Sequence, residues 1–113
     1  MSERIESYAE FWPYYLREHS LLSCRVLHYA GTLGSLVMLG VALYTNLWLL
    51  LAVPLCGYAP AWIGHFFIEK NRPATFTYPL WSLVSDFRMF ALAMSGRLGP
   101  ELDRAGISRQ PAA

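Results

Sequence analysis

Between Arg25 and Glu69 the chain carries no Asp, Glu, Lys or Arg. A water-soluble domain turns some face of every element to solvent, so an uncharged stretch of this length points to a segment bathed in lipid. A helix needs roughly 20 apolar residues to cross a hydrocarbon core ~30 Å thick, and residues 26–68 offer about twice that. The adjacent polar pair Thr45-Asn46 marks the break. The fold class expected is therefore all-α: a small helical membrane protein built on a two-span hairpin, about 26–44 and 47–68. Gly31, Gly34, Ser35 and Gly40 give the first span small faces for close helix contact. Pro54 and Pro60 remove backbone donors from the second span, which is expected to kink or unwind.

Composition narrows the function classes. Charged residues are 15% of the 113, against roughly 25% in ordinary soluble domains. Nine Lys and Arg nearly cancel eight Asp and Glu, so no nucleic-acid partner is expected. Cys24 and Cys56 stand alone, without a CxxC or a Cys–His pair at finger spacing, which excludes a disulfide framework and a conventional structural zinc site. The acidic start (Glu3, Glu6, Glu10, Glu18) is unlike a cleavable leader, so the hydrophobic segments themselves are expected to direct membrane insertion. Residues 1–98 read as one helical membrane domain and 99–113 as a loose tail.

The loop between the spans has no basic residue, while Arg4, Arg17 and Arg25 precede the hairpin and Lys70, Arg72 and Arg88 follow it. The positive-inside rule then places both termini of this multi-pass chain in the cytoplasm, in an inner membrane if the source is bacterial. The N-terminal segment carries Ile5, Tyr8, Trp12, Tyr15, Leu16 and His19 on one helical stripe, expected at the interface and divided by Pro13. Pro79 reads as the first residue of an amphipathic helix over about 79–98. Its Leu80, Leu83, Val84, Phe87, Ala91 and Met94 form one face, and Ser82, Ser85, Asp86 and Met89 gather on another.

The chain has three histidines. His28 opens the first span and His65 nears the end of the second, so an antiparallel pair brings them to the same surface. Ser20 and Ser23 are good N-caps, and a bend there returns His19 to the base of the hairpin. Glu69 lies one turn beyond His65 on the same helical face. Imidazoles plus a carboxylate, with coordination positions left open, form a set that holds non-haem ferrous iron. A lone His at a membrane edge is more often an anchor, but ionisable groups in a span are costly, and all three converge on one point. Asp86 is a further polar group of this site or a partner for Arg88 or Arg72. A phosphate-cradling Gly loop, a Rossmann fingerprint and a Ser or Cys nucleophile motif are absent.

The run Gly64-His65-Phe66-Phe67-Ile68-Glu69-Lys70-Asn71-Arg72-Pro73-Ala74-Thr75-Phe76, followed by Tyr78-Pro79-Leu80-Trp81-Ser82-Leu83 and Asp86-Phe87-Arg88-Met89, resembles the bacterial short form of a small membrane family. That family is named for metabolism of phytosphingosine to odd-numbered fatty acids. The pattern from Phe11 to His19 and on to Leu27-His28-Tyr29-Ala30-Gly31 is similar to its N-terminal half, although Ser23-Cys24 stands where the family often carries Asn. The resemblance implies an Fe(II)-dependent dioxygenase that takes C1 off a 2-hydroxy fatty acid as carbon dioxide, with His19, His28 and His65 as iron ligands. On this reading Glu69 assists at the metal, and Lys70 or Arg72 attracts the substrate carboxylate. Asn71 orients an imidazole or Glu69, and Asp86 is a further substrate-binding group. The partners are the 2-hydroxy fatty acid, dioxygen and the bilayer. Three alternatives remain at this stage: a haem-binding electron carrier using His28 and His65, a non-enzymatic scaffold that forms a homo-oligomer through the small face of the first span, and a zinc-hydrolase version of the three-His site.

Overall fold

A computed structural model describes residues 4–107, and no strand occurs among them. Helix α1 spans Tyr8–Arg17 and α2 spans Leu22–Tyr44. A 3-10 turn, Leu47–Leu51, leads into α3, Ala52–Ile63, which continues as a π turn over Gly64–Glu69. A second 3-10 turn, Ala74–Phe76, precedes α4, Pro79–Met94, and α5, Leu98–Ala105.

Helix α2 and the composite helix Leu47–Glu69 each contain 23 residues and are long and apolar enough to cross a membrane. At 1.5 Å per residue each reaches roughly 34 Å. Only 22% and 11% of their most apolar windows is buried inside the chain, whereas the core helix of a soluble protein would be mostly covered. Leu43, Leu51, Leu55 and Phe67 turn most of their surface outward. What the two helices share is a seam of small residues. A Cβ at Gly31 would stand 2.5 Å from the Gly57 carbonyl oxygen, and one at Gly57 would meet Ser35 Cβ at 3.6 Å. The small face of the first span is thus largely covered by α3 of the same chain; only Gly40 looks onto open space.

Asn46 starts the second arm by accepting from the Trp48 N–H at 2.9 Å. Pro54 falls in the first turn of α3, where no helical hydrogen bond is lost, and Pro60 lies inside α3 without ending it. Departures from α geometry occur at the ends instead, as the 3-10 turn and the π turn.

The conventional core lies outside the hairpin. Phe11, Trp12, Tyr15 and Leu16 of α1 pack with Tyr78, Met89, Leu98 and Leu102. Ser7 caps α1 by accepting from the Glu10 N–H, and the helix runs unbroken through Pro13, contrary to the sequence expectation. Burial of four large side chains offsets the single backbone bond that proline removes. Helix α4 ends at Met94, short of the expected 98, where Gly96 takes a φ of 74°.

The stretch expected as a loose tail from residue 99 begins with α5, whose Leu98, Leu102 and Ala105 are buried at helical spacing. Trp12 Nε1 donates to Glu101 Oε1 at 2.9 Å and ties α5 to α1. Residues 108–113 of that stretch lie outside the described residues. Helix α4 is inside out by soluble standards: Leu80 and Val84 are exposed while Ser82, Ser85 and Met89 are buried.

Candidate metal centre

The three histidines reach one point by three different local devices. His19 sits in the short link between α1 and α2, and the turn there is not capped by Ser20 or Ser23, since α2 has no side-chain cap of its own. Glu69 supplies the missing acceptor from across the hairpin. Its Oε2 accepts from the Leu21 N–H at 2.6 Å and its Oε1 from the Ser20 hydroxyl at 3.2 Å. Arg25, only 1% exposed, donates from Nη1 to the carbonyls of His19 (2.8 Å) and Ser20 (3.0 Å). His28 lies in the second turn of α2. His65 enters on the π turn, which approaches α2 closely because residue 64 is glycine: a Cβ there would stand 3.0 Å from Cys24 Sγ.

All three imidazoles are buried. Each has its Nδ1 against an oxygen: Tyr15 O for His19 at 2.6 Å, Cys24 O for His28 at 2.9 Å and Asn71 Oδ1 for His65 at 2.7 Å. A carbonyl only accepts, so Nδ1 of His19 and of His28 carries the proton. Asn71 donates its Nδ2 to the Glu18 carbonyl at 3.1 Å, which turns Oδ1 toward His65 and makes that Nδ1 a donor as well. In neutral rings every Nε2 is then a bare lone pair. Nε2 of His19 stands 3.0 Å from Nε2 of His28 and 3.0 Å from Nε2 of His65. One ligand atom from each of the three lies within 4.8 Å of the others, a set able to hold a metal ion.

A cavity of about 10 Å³ adjoins the cluster, room for about one water. Tyr15, Trp62, Ser82 and Asp86 line it beside the histidines. Tyr15 donates its hydroxyl to Asp86 Oδ1. Burial pushes the Asp86 carboxyl up to about 6, with the Tyr15 hydrogen bond pulling the other way. Burial, and then Asp86, holds the Tyr15 phenol well above its ordinary range. Burial first, and then the neighbouring His28 and His65, holds His19 well below the usual imidazole value.

The sequence-expected residues therefore divide. His19, His28 and His65 come together, Asp86 reaches the cavity wall and Asn71 fixes the back of His65. Glu69 does not join the imidazoles, because its two oxygens are engaged at the start of α2. The π turn that carries both residues leaves the Glu69 carboxylate against the link between α1 and α2, where Ser20 and Leu21 hold it. Lys70 is exposed in the left-handed region at φ 62°, and Arg72 is exposed with its guanidinium over the Phe76 ring. Neither lines the cavity. Three contributors were not legible as such: Arg25, which reads as a topology charge; Tyr15, which reads as an interfacial aromatic; and Ser82, whose sole signal is its place one turn before Asp86.

No curated protein and no solved structure matches this chain. Residues 5–98 match the family model described as 2-hydroxy-palmitic acid dioxygenase Mpo1-like, a span that runs from just before α1 through all three histidines and α4 to the first residue of α5. The chain belongs to that family.

Proposed function

We propose that this protein is a membrane-embedded, ferrous-iron-dependent dioxygenase that converts a 2-hydroxy fatty acid and dioxygen into the acid one carbon shorter, carbon dioxide and water. The observation that carries the reading is the convergence of three Nε2 lone pairs with no proton to share among them. Three acceptors this close repel one another unless a cation lies between them, and burial keeps His19 from supplying that charge by protonation.

Iron is preferred to zinc on chemical grounds: the family description is of a dioxygenase, and zinc has no redox chemistry with which to engage dioxygen. An all-imidazole set with positions left open matches the ligand preferences of non-haem iron. When bound, ferrous iron would supply the electron chemistry that lets dioxygen attack an organic substrate, together with open positions for oxygen ligands. His19, His28 and His65 would hold it, and Tyr15 O, Cys24 O and Asn71 would keep the three rings in the metal-ready tautomer. A haem reading fares poorly, since the His28 and His65 ring centroids are 4.9 Å apart and His19 stands between them where a porphyrin would have to lie.

The exposed apolar surface of the hairpin and of α4 suits a bilayer, with both termini on the cytoplasmic side by the charge rule. A long acyl chain is at home there, each buried CH₂ contributing about 0.8 kcal/mol. Lys70 and Arg72 end the second span where lipid headgroups and substrate carboxylates would gather. The test is anaerobic reconstitution of the purified protein with ferrous iron, followed by 2-hydroxyhexadecanoate and oxygen. Stoichiometric pentadecanoate and carbon dioxide are expected. Unchanged substrate with a fully iron-loaded protein would contradict the reaction.

A further inference from the structure

Among the described residues, one buried side-chain polar atom has no hydrogen-bond partner: Ser82 Oγ. The residue is 1% exposed, and leaving a hydroxyl dry and unpaired in such a place is costly. Its surroundings say what it waits for. Ser82 lines the cavity beside the three imidazoles, and Asp86, one helical turn further along the same face of α4, lines it too. Side chains at i and i+4 have Cβ atoms roughly 5–6 Å apart, a gap that one oxygen atom bridges. Asp86 is already anchored by the Tyr15 hydroxyl, so its carboxylate is held in place as an acceptor.

A serine hydroxyl that can donate beside a carboxylate that can accept matches a group that both accepts and donates. An alcohol does this; a carboxylate would be repelled by Asp86. Resting on the function proposed above, we infer that Ser82 and Asp86 form the pole that recognises the 2-hydroxyl of the substrate, with Ser82 donating to that oxygen and Asp86 accepting from it. The pair is thereby the element that selects a 2-hydroxy acid over the unsubstituted acid. A site built around a substrate hydroxyl rejects the analogue that lacks it, because its own buried polar groups are then left unpaired.

The role has a signature that a packing role lacks. Removing an unpaired hydroxyl leaves the ligand-free fold as stable as before or more so, while it weakens the grip on one substrate class. The experiment is thermal denaturation of iron-loaded protein in detergent, without oxygen, titrated with 2-hydroxyhexadecanoate or hexadecanoate, on wild type, Ser82→Ala and Ser82→Thr. Wild type should bind the hydroxy acid in preference. Ser82→Ala should retain its iron and its ligand-free melting temperature while the preference falls roughly tenfold. Ser82→Thr, which keeps the hydroxyl, should retain most of the preference. An undiminished preference in Ser82→Ala at full iron content would overturn this inference and leave the iron site standing, with the cavity simply holding a water. Absence of any preference in wild type would overturn it too. Failure of wild type to take up iron would instead strike the underlying function.

Discussion

The two halves of this molecule are built on opposite rules. In the hairpin of α2 and Leu47–Glu69 the large apolar side chains face outward and the helices meet through Gly31, Gly57 and Ser35. In the unit of α1, α4 and α5 the aromatics face inward and close around Phe11. The first arrangement gains little from the hydrophobic effect within the chain and depends on close backbone approach, as helices in lipid do. The second is an ordinary buried core. The three-histidine cluster sits on the joint, with His19 contributed from one half and His28 and His65 from the other. The cluster is therefore complete only where the aromatic unit meets the hairpin.

The largest effects should separate the halves. Phe11→Ala empties the centre of the aromatic core, where the ring is fully buried, and should cost about 3–5 kcal/mol of stability in detergent. Leu55→Ala, on the outward face of α3, should change the same denaturation midpoint by less than about 0.5 kcal/mol. Equal losses from the two would break the contrast.

At the joint, Asn71→Ala removes the acceptor that orients His65 and should weaken metal affinity by roughly 10–100-fold, read by competition with a chelator. Glu69→Ala tests the division of labour more finely. Without its carboxylate, the Leu21 N–H and the Ser20 hydroxyl lose their acceptor, and stability should fall by about 1 kcal/mol while metal content stays at the wild-type level. Loss of metal in that variant would return Glu69 to the ligand set.

The smallest effect near neutrality concerns pH. His19 is held well below its ordinary value in the fold, so the folded protein resists a proton that the unfolded chain accepts. The metal-free protein should therefore show no dependence on this group above the ordinary value of 6.5 and should lose stability progressively as pH falls below it. Thermal melts across pH 8 to 5, with His19→Gln as the control lacking the group, would show it.

How much of this was readable beforehand follows from the range of the forces involved. The uncharged run from residue 26 to 68 fixes the hairpin because desolvating charge is a large, local cost. The convergence of His28 and His65 then follows from antiparallel geometry alone. The engagement of Glu69 was out of reach because its partners, the Leu21 N–H and the Ser20 hydroxyl, are tertiary contacts from across the hairpin, and nothing in the residues from Gly64 to Glu69 announces them. Helix α5 was missed because Gly99 and Pro100 suggest a break, although proline is tolerated in a first turn and Leu98, Leu102 and Ala105 keep helical spacing. Arg25 was beyond reach. A guanidinium buried against the His19 carbonyl is a tertiary contact that no local pattern encodes.

Whether three imidazoles from two differently built halves hold one metal ion is tested most directly by elemental analysis of iron-reconstituted wild type and His65→Ala, each with its helical content verified by circular dichroism. About one iron per chain in wild type and almost none in the folded variant is the predicted result. Equal iron in the two proteins would contradict it, as would a wild type that takes up none.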